Sequence, residues 1–480
     1  MARLKKYSDL TPFIQYLASL PKTGEGFELK PFKKLLRVLN NPHKQLKGIH
    51  VLGTNGKGST ALMCQQILSN LGFCVGLYTS PHLHSHTERI RIGDRCISKA
   101  KLLDYFEQVK KNLADNFLSE ERLPTFFEVI TAIAFLYFVD QRCDYVVCEA
   151  GLGGKLDATS VASLGVTIIT NVSLEHTNIL GKTITDIAED KACAIKKNSL
   201  VITSAAGKAL EIVKRKTEQM GSSLSCYKKD FSVTLLGSSF GGMQYEFVND
   251  VITISDKLSL LGKHQLVNAA DAIQATFELS KRAGVDKRSF AFAVAKTLRS
   301  VRWAGRFEVL QYPNPLGFPL VGETKRRQQG RQMIILDGAH NLAGVKVLAD
   351  TLRLFLHPKQ KVVFVFGVMK DKPHRAMLEI LAPLAAQFIF YDISLPEYSL
   401  AYGRVLPAKR LQAGVETSGV AHSAEDAFSQ AFKKIKKNEI ICFCGSLYLL
   451  GEVRKFLLGK KDKSNSPDAL HHNPDFTQKH

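Results

Sequence analysis

Short apolar runs alternate with longer amphipathic ones along the first two hundred residues. Residues 49–52, 75–78, 145–148, 166–170 and 200–203 are brief, β-rich and bounded by glycine or polar clusters, so each reads as a strand. Between the first two, residues 59–71 place Met63, Ile67 and Leu71 at four-residue spacing, which predicts a helix with one apolar face ending at Gly72. Alternation of this kind implies a parallel sheet covered by helices. A second series follows Arg306, with strands expected at 333–336, 362–366, 387–391 and 440–444 and helices at 343–356 and 375–384. Organisation is expected as a first domain over 1–308, a linker over 309–332 with a basic loop at 325–331, a smaller domain over 333–459 and a disordered tail over 460–480.

Composition narrows the class. The 480 residues are 45% hydrophobic and 23% charged, which is ordinary globular usage. The most apolar stretch, 126–139, carries Glu128 and falls short of the ~20 residues of a membrane helix, so no span is expected. The basic amino end meets Asp9 without an apolar core, which argues against a secretory leader. Nine cysteines contain no CxxC pair and sit mostly in apolar company, as free thiols do in a reducing cytoplasm. The net charge of +21 raises nucleic acid as a partner. Its excess is nevertheless not a basic tail and lacks interleaved aromatics, so a polyanionic small substrate is the preferred reading.

The strongest local signal is Gly53-Thr54-Asn55-Gly56-Lys57-Gly58-Ser59, directly after a strand and before a helix. Glycines let backbone N–H groups curl around phosphate, the helix start adds a favourable dipole, Lys57 supplies positive charge, and a hydroxyl can reach Mg²⁺. The loop departs from the common G-x-x-x-x-G-K-[ST] form in spacing and in Gly58. Ser80, Glu149 and His176 stand at or beyond the carboxyl ends of further expected strands, the edge where open parallel sheets bind ligands. The run His82-Leu83-His84-Ser85-His86 looks like a metal cluster with alternate residues on one side of a strand, but nothing nearby completes a zinc set. The fold class expected is therefore α/β: a P-loop parallel-sheet ATPase domain followed by a smaller Rossmann-like α/β domain.

Ten segments in order carry a family resemblance: 49–59 (IHVLGTNGKGS), 78–83 (YTSPHL), 87–91 (TERIR), 125–128 (TFFE), 149–159 (EAGLGGKLDAT), 173–176 (SLEH), 262–265 (GKHQ) with Asn268, 303–308 (WAGRFE), 336–341 (LDGAHN) and 444–448 (CGSLY). With them the chain resembles the folylpolyglutamate synthase/dihydrofolate synthase family of the Mur ligases. The resemblance implies ATP on Thr54, Asn55, Gly56, Lys57, Gly58 and Ser59, with contacts from Asn268, Arg306 and Asp337. It implies Mg²⁺ on Ser80, Glu149 and His176, and a second Mg²⁺ supported by a carbamate on Lys191. It places the pterin on Lys22, Thr23, Thr125, Phe127, Leu156, Asp157 and Ala158, with Asp157 accepting from the ring. Departures are Lys155 for the usual Arg, Ser160 for Asn, Glu175 for Asp, and 190–193 (DKAC) for EKAG; Lys155 loses the guanidinium fork.

The reaction so implied joins L-glutamate to dihydropteroate and to reduced folates through an acyl phosphate, with ATP between the domains. Lys57, Lys191 and His340 would be its catalytic residues. A cytoplasmic monomer without nucleic-acid or membrane partners is expected. The alternatives are a folate-only polyglutamate synthase, a peptidoglycan-type Mur ligase and a nucleic-acid-stimulated P-loop ATPase.

Overall fold

The computed structural model describes residues 10–21, 28–118, 122–313, 331–395, 399, 401–412, 415, 418–436 and 439–459. Two units emerge: Met1–Leu236 with Gln244–Leu258 and His264–Val301, and Gly237–Met243 with Ser259–Lys263 and Arg302–His480.

The first unit carries strands β1 (Gly48–Leu52), β2 (Val75–Tyr78), β3 (Ile90–Ile92), β4 (Arg95–Cys96), β5 (Tyr145–Glu149), β6 (Gly165–Ile169), β7 (Leu200–Thr203) and β8 (Ser223–Cys226). Their order is β4-β3-β2-β5-β1-β6-β7-β8, and every pairing from β2 to β8 is parallel. β1 and β7 are buried at every position, as strands covered on both faces must be. Val146 and Cys148, alternate residues of β5, face one layer, whereas Ala150 lies beyond the strand's end and belongs to the other. The pair joins a core with helices Thr11–Ser19, Lys30–Val38, Lys99–Asn116 and Phe126–Asp140, while Ala150 joins one with Ile184–Ala192 and Gly207–Gln219. The apolar segment 126–139 is thus a core helix. Among the described residues no helix is long and apolar enough to cross a membrane.

The helix after β1 runs Lys57–Asn70, two residues earlier than its apolar spacing predicts. It is enclosed on more than one face: Leu62, Cys64 and Leu68 are buried beside Met63 and Ile67. A single stripe was the wrong pattern because this helix is covered by more than the sheet. Strands β9 (Phe231–Ser239), β10 (Gly242–Asn249) and β11 (Thr253–Leu258) form a separate three-stranded sheet that the sequence reading did not contain.

The second unit holds β12 (Glu308–Pro313), β13 (Arg331–Leu336), β14 (Val362–Phe366), β15 (Ala385–Tyr391), β16 (Ser418–Ala421) and β17 (Ile440–Cys444), in the order β12-β13-β17-β14-β15-β16. All pairings are parallel except β12 with β13. The expected linker differs at both ends, because 309–313 and 331–332 lie in this antiparallel pair, and the unit's longest segment begins at Arg302. The basic loop at 325–330 and the tail at 460–480 lie outside the described residues.

Candidate active site

In the first unit the strand order places β1 between β5 and β6, so the turn after β1 opens where the chain's course across the sheet reverses. Gly56 caps the helix at φ 88, and a Cβ there would lie 2.3 Å from Asn268 Oδ1. Only glycine fits, and Asn268 is brought against the loop. The segment after β6 pins the loop. Asn171 Oδ1 accepts the Asn55 N–H at 3.0 Å, its Nδ2 donates to Asn55 O at 2.8 Å, and the Thr170 hydroxyl donates to the same carbonyl at 2.8 Å. The Ser173 N–H donates to Thr54 Oγ1 at 3.0 Å. Thr170 and Asn171 were not singled out by sequence, although Asn171 opens the polar run that follows an expected strand.

Two ammonium groups meet at this loop. Lys57 Nζ donates to Gly53 O and Thr54 O, each at 3.0 Å, and Lys191 Nζ donates to Gly53 O at 2.9 Å. Lys191 is 4% exposed. Burial, and then the charge of Lys57, lower its pKa to about 8, against opposing pulls from Glu175, Asp190 and Asp157.

Helix Ile184–Ala192 grips a second loop through the residue before Lys191. Asp190 Oδ2 accepts the Gly154 N–H at 2.7 Å, and a Cβ on Gly153, at φ 68, would lie 2.3 Å from that oxygen. One helix therefore ties the turns after β1 and β5 together. Lys155 itself is exposed, and its backbone N–H also donates to Asp190.

The pterin-side segments converge in part. Thr125 caps helix Phe126–Asp140 in a reciprocal box with Glu128. Phe127 packs so close to Gly151 that a Cβ there would meet its ring at 2.6 Å, which joins this helix start to the 151–158 turn. Leu156 is exposed; Asp157 and Ala158 are buried. The expectation for Asp157 needs amendment. Its Oδ2 accepts the Leu152 N–H at 2.8 Å, and its Oδ1 accepts both the N–H and the hydroxyl of Thr159. The carboxylate is committed to shaping the turn, so a ring donor would have to share it. Lys22 and Thr23 lie outside the described residues.

Of the expected metal ligands, Ser80 and Glu149 are together: the Ser80 N–H donates to Glu149 Oε2 at 3.0 Å. Glu149 is the last residue of β5, in register with Val51 of β1, two residues before Gly53. A hydroxyl and a carboxylate beside a phosphate loop are hard oxygen donors of the kind Mg²⁺ takes. His176 is exposed, in left-handed conformation, at the head of Thr177–Leu180. The His82–His86 run is not a strand but a loop entering a short 3₁₀ turn, His86–Arg89. There His82 Nδ1 accepts from Arg89 Nε at 2.8 Å and the His82 and His86 rings pack at 4.2 Å. No cluster of three or more His, Cys, Asp or Glu in metal-holding arrangement occurs among the described residues.

In the second unit Asp337 follows β13. Its Oδ2 accepts the Phe307 N–H at 2.8 Å and its Oδ1 accepts the Ala339 N–H at 2.9 Å. Burial raises its pKa, with Arg306 and these amides pulling the other way. A Cβ on Gly338 would lie 2.5 Å from Arg306 Nη1, so Arg306 and Asp337 share one turn. His340 Nδ1 lies 2.7 Å from Gly338 O, which makes Nδ1 the protonated nitrogen.

Comparison with known proteins decides between the Mur ligases and other phosphate-loop proteins. The Mur ligase middle domain matches residues 51–276, and the Mur ligase glutamate ligase domain matches 322–447. The chain is 32% identical over 444 residues to the dihydrofolate synthase/folylpolyglutamate synthase of Bacillus subtilis, covering 90% of this chain and 96% of that protein. The chain belongs to the folylpolyglutamate synthase/dihydrofolate synthase family. As a member it is an ATP-dependent ligase. It is 31% identical over 461 residues to the folylpolyglutamate synthase of Lacticaseibacillus casei, across 94% of this chain and 99% of that one. The folylpolyglutamate synthase of Mycobacterium tuberculosis solved with ADP and AMPPCP matches the fold with a TM-score of 0.79 at 27% identity, over 94% of this chain and 98% of that chain. The family resemblance and the expected fold class are thereby borne out.

Proposed function

We propose that this ligase adds L-glutamate to dihydropteroate and to reduced folates. A substrate carboxylate oxygen attacks the γ-phosphorus of ATP, the bond to the β-phosphate oxygen breaks and ADP leaves. The glutamate amine then attacks the acyl carbon, loses a proton, and inorganic phosphate departs. The observation that carries this reading is the loop at 53–59 with two lysines on one of its carbonyls. Lys57, released from Gly53 O and Thr54 O, is the cation to neutralise charge on the transferring group. Ser59, Thr54 and the backbone of 55–58 would hold the phosphates, with Asn268, Arg306 and Asp337 as further nucleotide contacts. His340, its Nδ1 occupied by Gly338 O, offers Nε2 to take the amine proton.

Ser80, Glu149 and His176 would hold Mg²⁺, whose bound charge would make the γ-phosphorus easier to attack. A carbamate on Lys191 belongs to the same reading: with the pKa near 8 a useful fraction of the amine is neutral, able to bond carbon dioxide and release a proton. The acceptor would lie on Thr125, Phe127, Leu156, Asp157 and Ala158, with Lys22 and Thr23 of the early loop. The protein would work as a cytoplasmic monomer on small molecules, not on nucleic acid or membranes.

The test is ADP release with ATP, Mg²⁺ and L-glutamate, using dihydropteroate, tetrahydrofolate or a UDP-muramyl peptide as acceptor. Turnover with the first two is expected. Turnover with tetrahydrofolate alone would leave a folate-only synthase, and turnover with the muramyl peptide alone would overturn the reading.

A further inference from the structure

A chain of contacts runs along the carboxyl edge of the large sheet, from β7 through β6 to the loop after β1. Ser204, just past β7, donates its hydroxyl proton to Thr170 O, and the same oxygen stands 2.7 Å from Asp271 Oδ2. The Thr170 hydroxyl donates in turn to Asn55 O at 2.8 Å, with Leu52 O at 3.2 Å. A carbonyl oxygen only accepts, and a serine hydroxyl has one proton. With that proton on Thr170 O, the hydrogen between Ser204 Oγ and Asp271 Oδ2 must come from Asp271.

The surroundings agree with this count. Asp271 is fully buried in helix Lys263–Arg282, one turn from Asn268, and its Oδ1 has no hydrogen-bond partner. An ionised carboxylate so placed would be costly. Burial raises its pKa well above the ordinary value, against only the Ser204 bond. The titratable groups facing it are Cys64, from helix Lys57–Asn70, and Tyr227, beyond β8; burial pushes the ionisation of both upward, so both are neutral near pH 7.

We propose that Asp271 is a positioning residue that stays protonated in the folded protein and, through Ser204 and Thr170, holds the phosphate loop in place for ATP. Loss of that proton turns the Ser204 hydroxyl toward the carboxylate, releases Thr170 O and slackens the contact to Asn55. The inference rests on the ATP-ligase reading, but its readouts use the full chain and ATP binding, independent of any acceptor.

Infrared spectra of wild type and D271N at pH 7 are compared first. A protonated carboxyl C=O band present in the wild type and missing in D271N is expected; a wild type without that band overturns the proposal. If D271N does not fold, a shift of the band in S204A is the equivalent readout. Unfolding equilibria against pH give the second arm. Unfolded Asp ionises near ~3.9 while the folded acid keeps its proton, so wild-type stability relative to D271N falls by up to roughly tenfold in the unfolding constant per pH unit above that value. A pH-independent ratio overturns the proposal. Calorimetry with ATP tests the positioning role. S204A and D271A should weaken ATP by roughly tenfold, a hydrogen bond's worth, while D271N, whose amide still donates to Ser204, restores it. Equal weakening in D271N and D271A would reduce Asp271 to a packing group and refute the role.

Discussion

Two lysines share one carbonyl oxygen, and this sets what each can do. Lys57 and Lys191 both donate to Gly53 O, and their mutual repulsion adds to burial in lowering the Lys191 pKa to about 8. The sign for stability follows from proton counting. Between about pH 8 and 10.5 the unfolded lysine holds a proton that the folded one has lost, so stability rises with pH across that window, by roughly 3 kcal/mol in all. Thermal unfolding of wild type against Lys191→Met should show this rise in the wild type alone. The same neutral amine predicts that activity increases with bicarbonate and that Lys191→Ala is nearly inactive, with partial rescue by small carboxylates; ¹³C-bicarbonate should give a carbamate NMR signal absent from the variant. Lys57→Ala should cut turnover roughly 100-fold or more while leaving the unfolding midpoint near wild type, because it removes a charge from a loop and nothing from the core. At this scale the sequence points to both lysines, Lys57 through its glycine-rich loop and Lys191 through the family resemblance. It does not show that Asp157 is spent on its own turn, because two of its three donors are backbone amides, which any residues would supply.

Elements carry the legibility further. Fully buried strands such as β1, β7 and β14 are short, apolar and bounded by turn residues, so their positions are read within a residue. The helix after β1 was read as one-sided because its buried small and polar residues, Ser59, Thr60 and Gln65, do not register as apolar. The sheet of β9 to β11 escaped because several of its positions are exposed, so its apolar signal is weak. The join that makes the loop work is Gly56 against Asn268, a contact between segments more than two hundred residues apart. Gly56→Ala would force φ 88 on a residue with a Cβ 2.3 Å from Asn268 Oδ1. About 1 kcal/mol of backbone strain plus the clash should displace the helix start, so ATP binding by calorimetry is expected to fall at least tenfold with only a small loss in thermal stability.

For the whole molecule, the formal charge of +21 is the property that motifs leave unexplained. Ten Lys/Arg against three Asp/Glu in the first fifty residues concentrate part of it near the amino end. In the second helix of that region, Lys30–Val38, Phe32, Leu35 and Leu36 enter the core while Lys33 and Arg37, one turn apart, are exposed. Burial, and then the charge of Lys33, lower the pKa of Lys196, so like charges are held near one another here. Such a surface raises the local concentration of anions, and ATP, folates and glutamate are all anions at neutral pH. The effect is on encounter, not on the chemical step, so added salt should raise KM for ATP and for folate while kcat changes little, with the larger rise for folates that already carry several glutamates. A nucleic-acid-driven ATPase with the same charge would behave differently: DNA or RNA would stimulate ADP release in the absence of folate. Here polynucleotides should at most inhibit, by competing for the basic surface, and the inhibition should vanish with salt faster than turnover does. Steady-state kinetics at several salt concentrations, with and without polynucleotide, separate these cases, and stimulation by polynucleotide without acceptor would count against the ligase as the source of the charge.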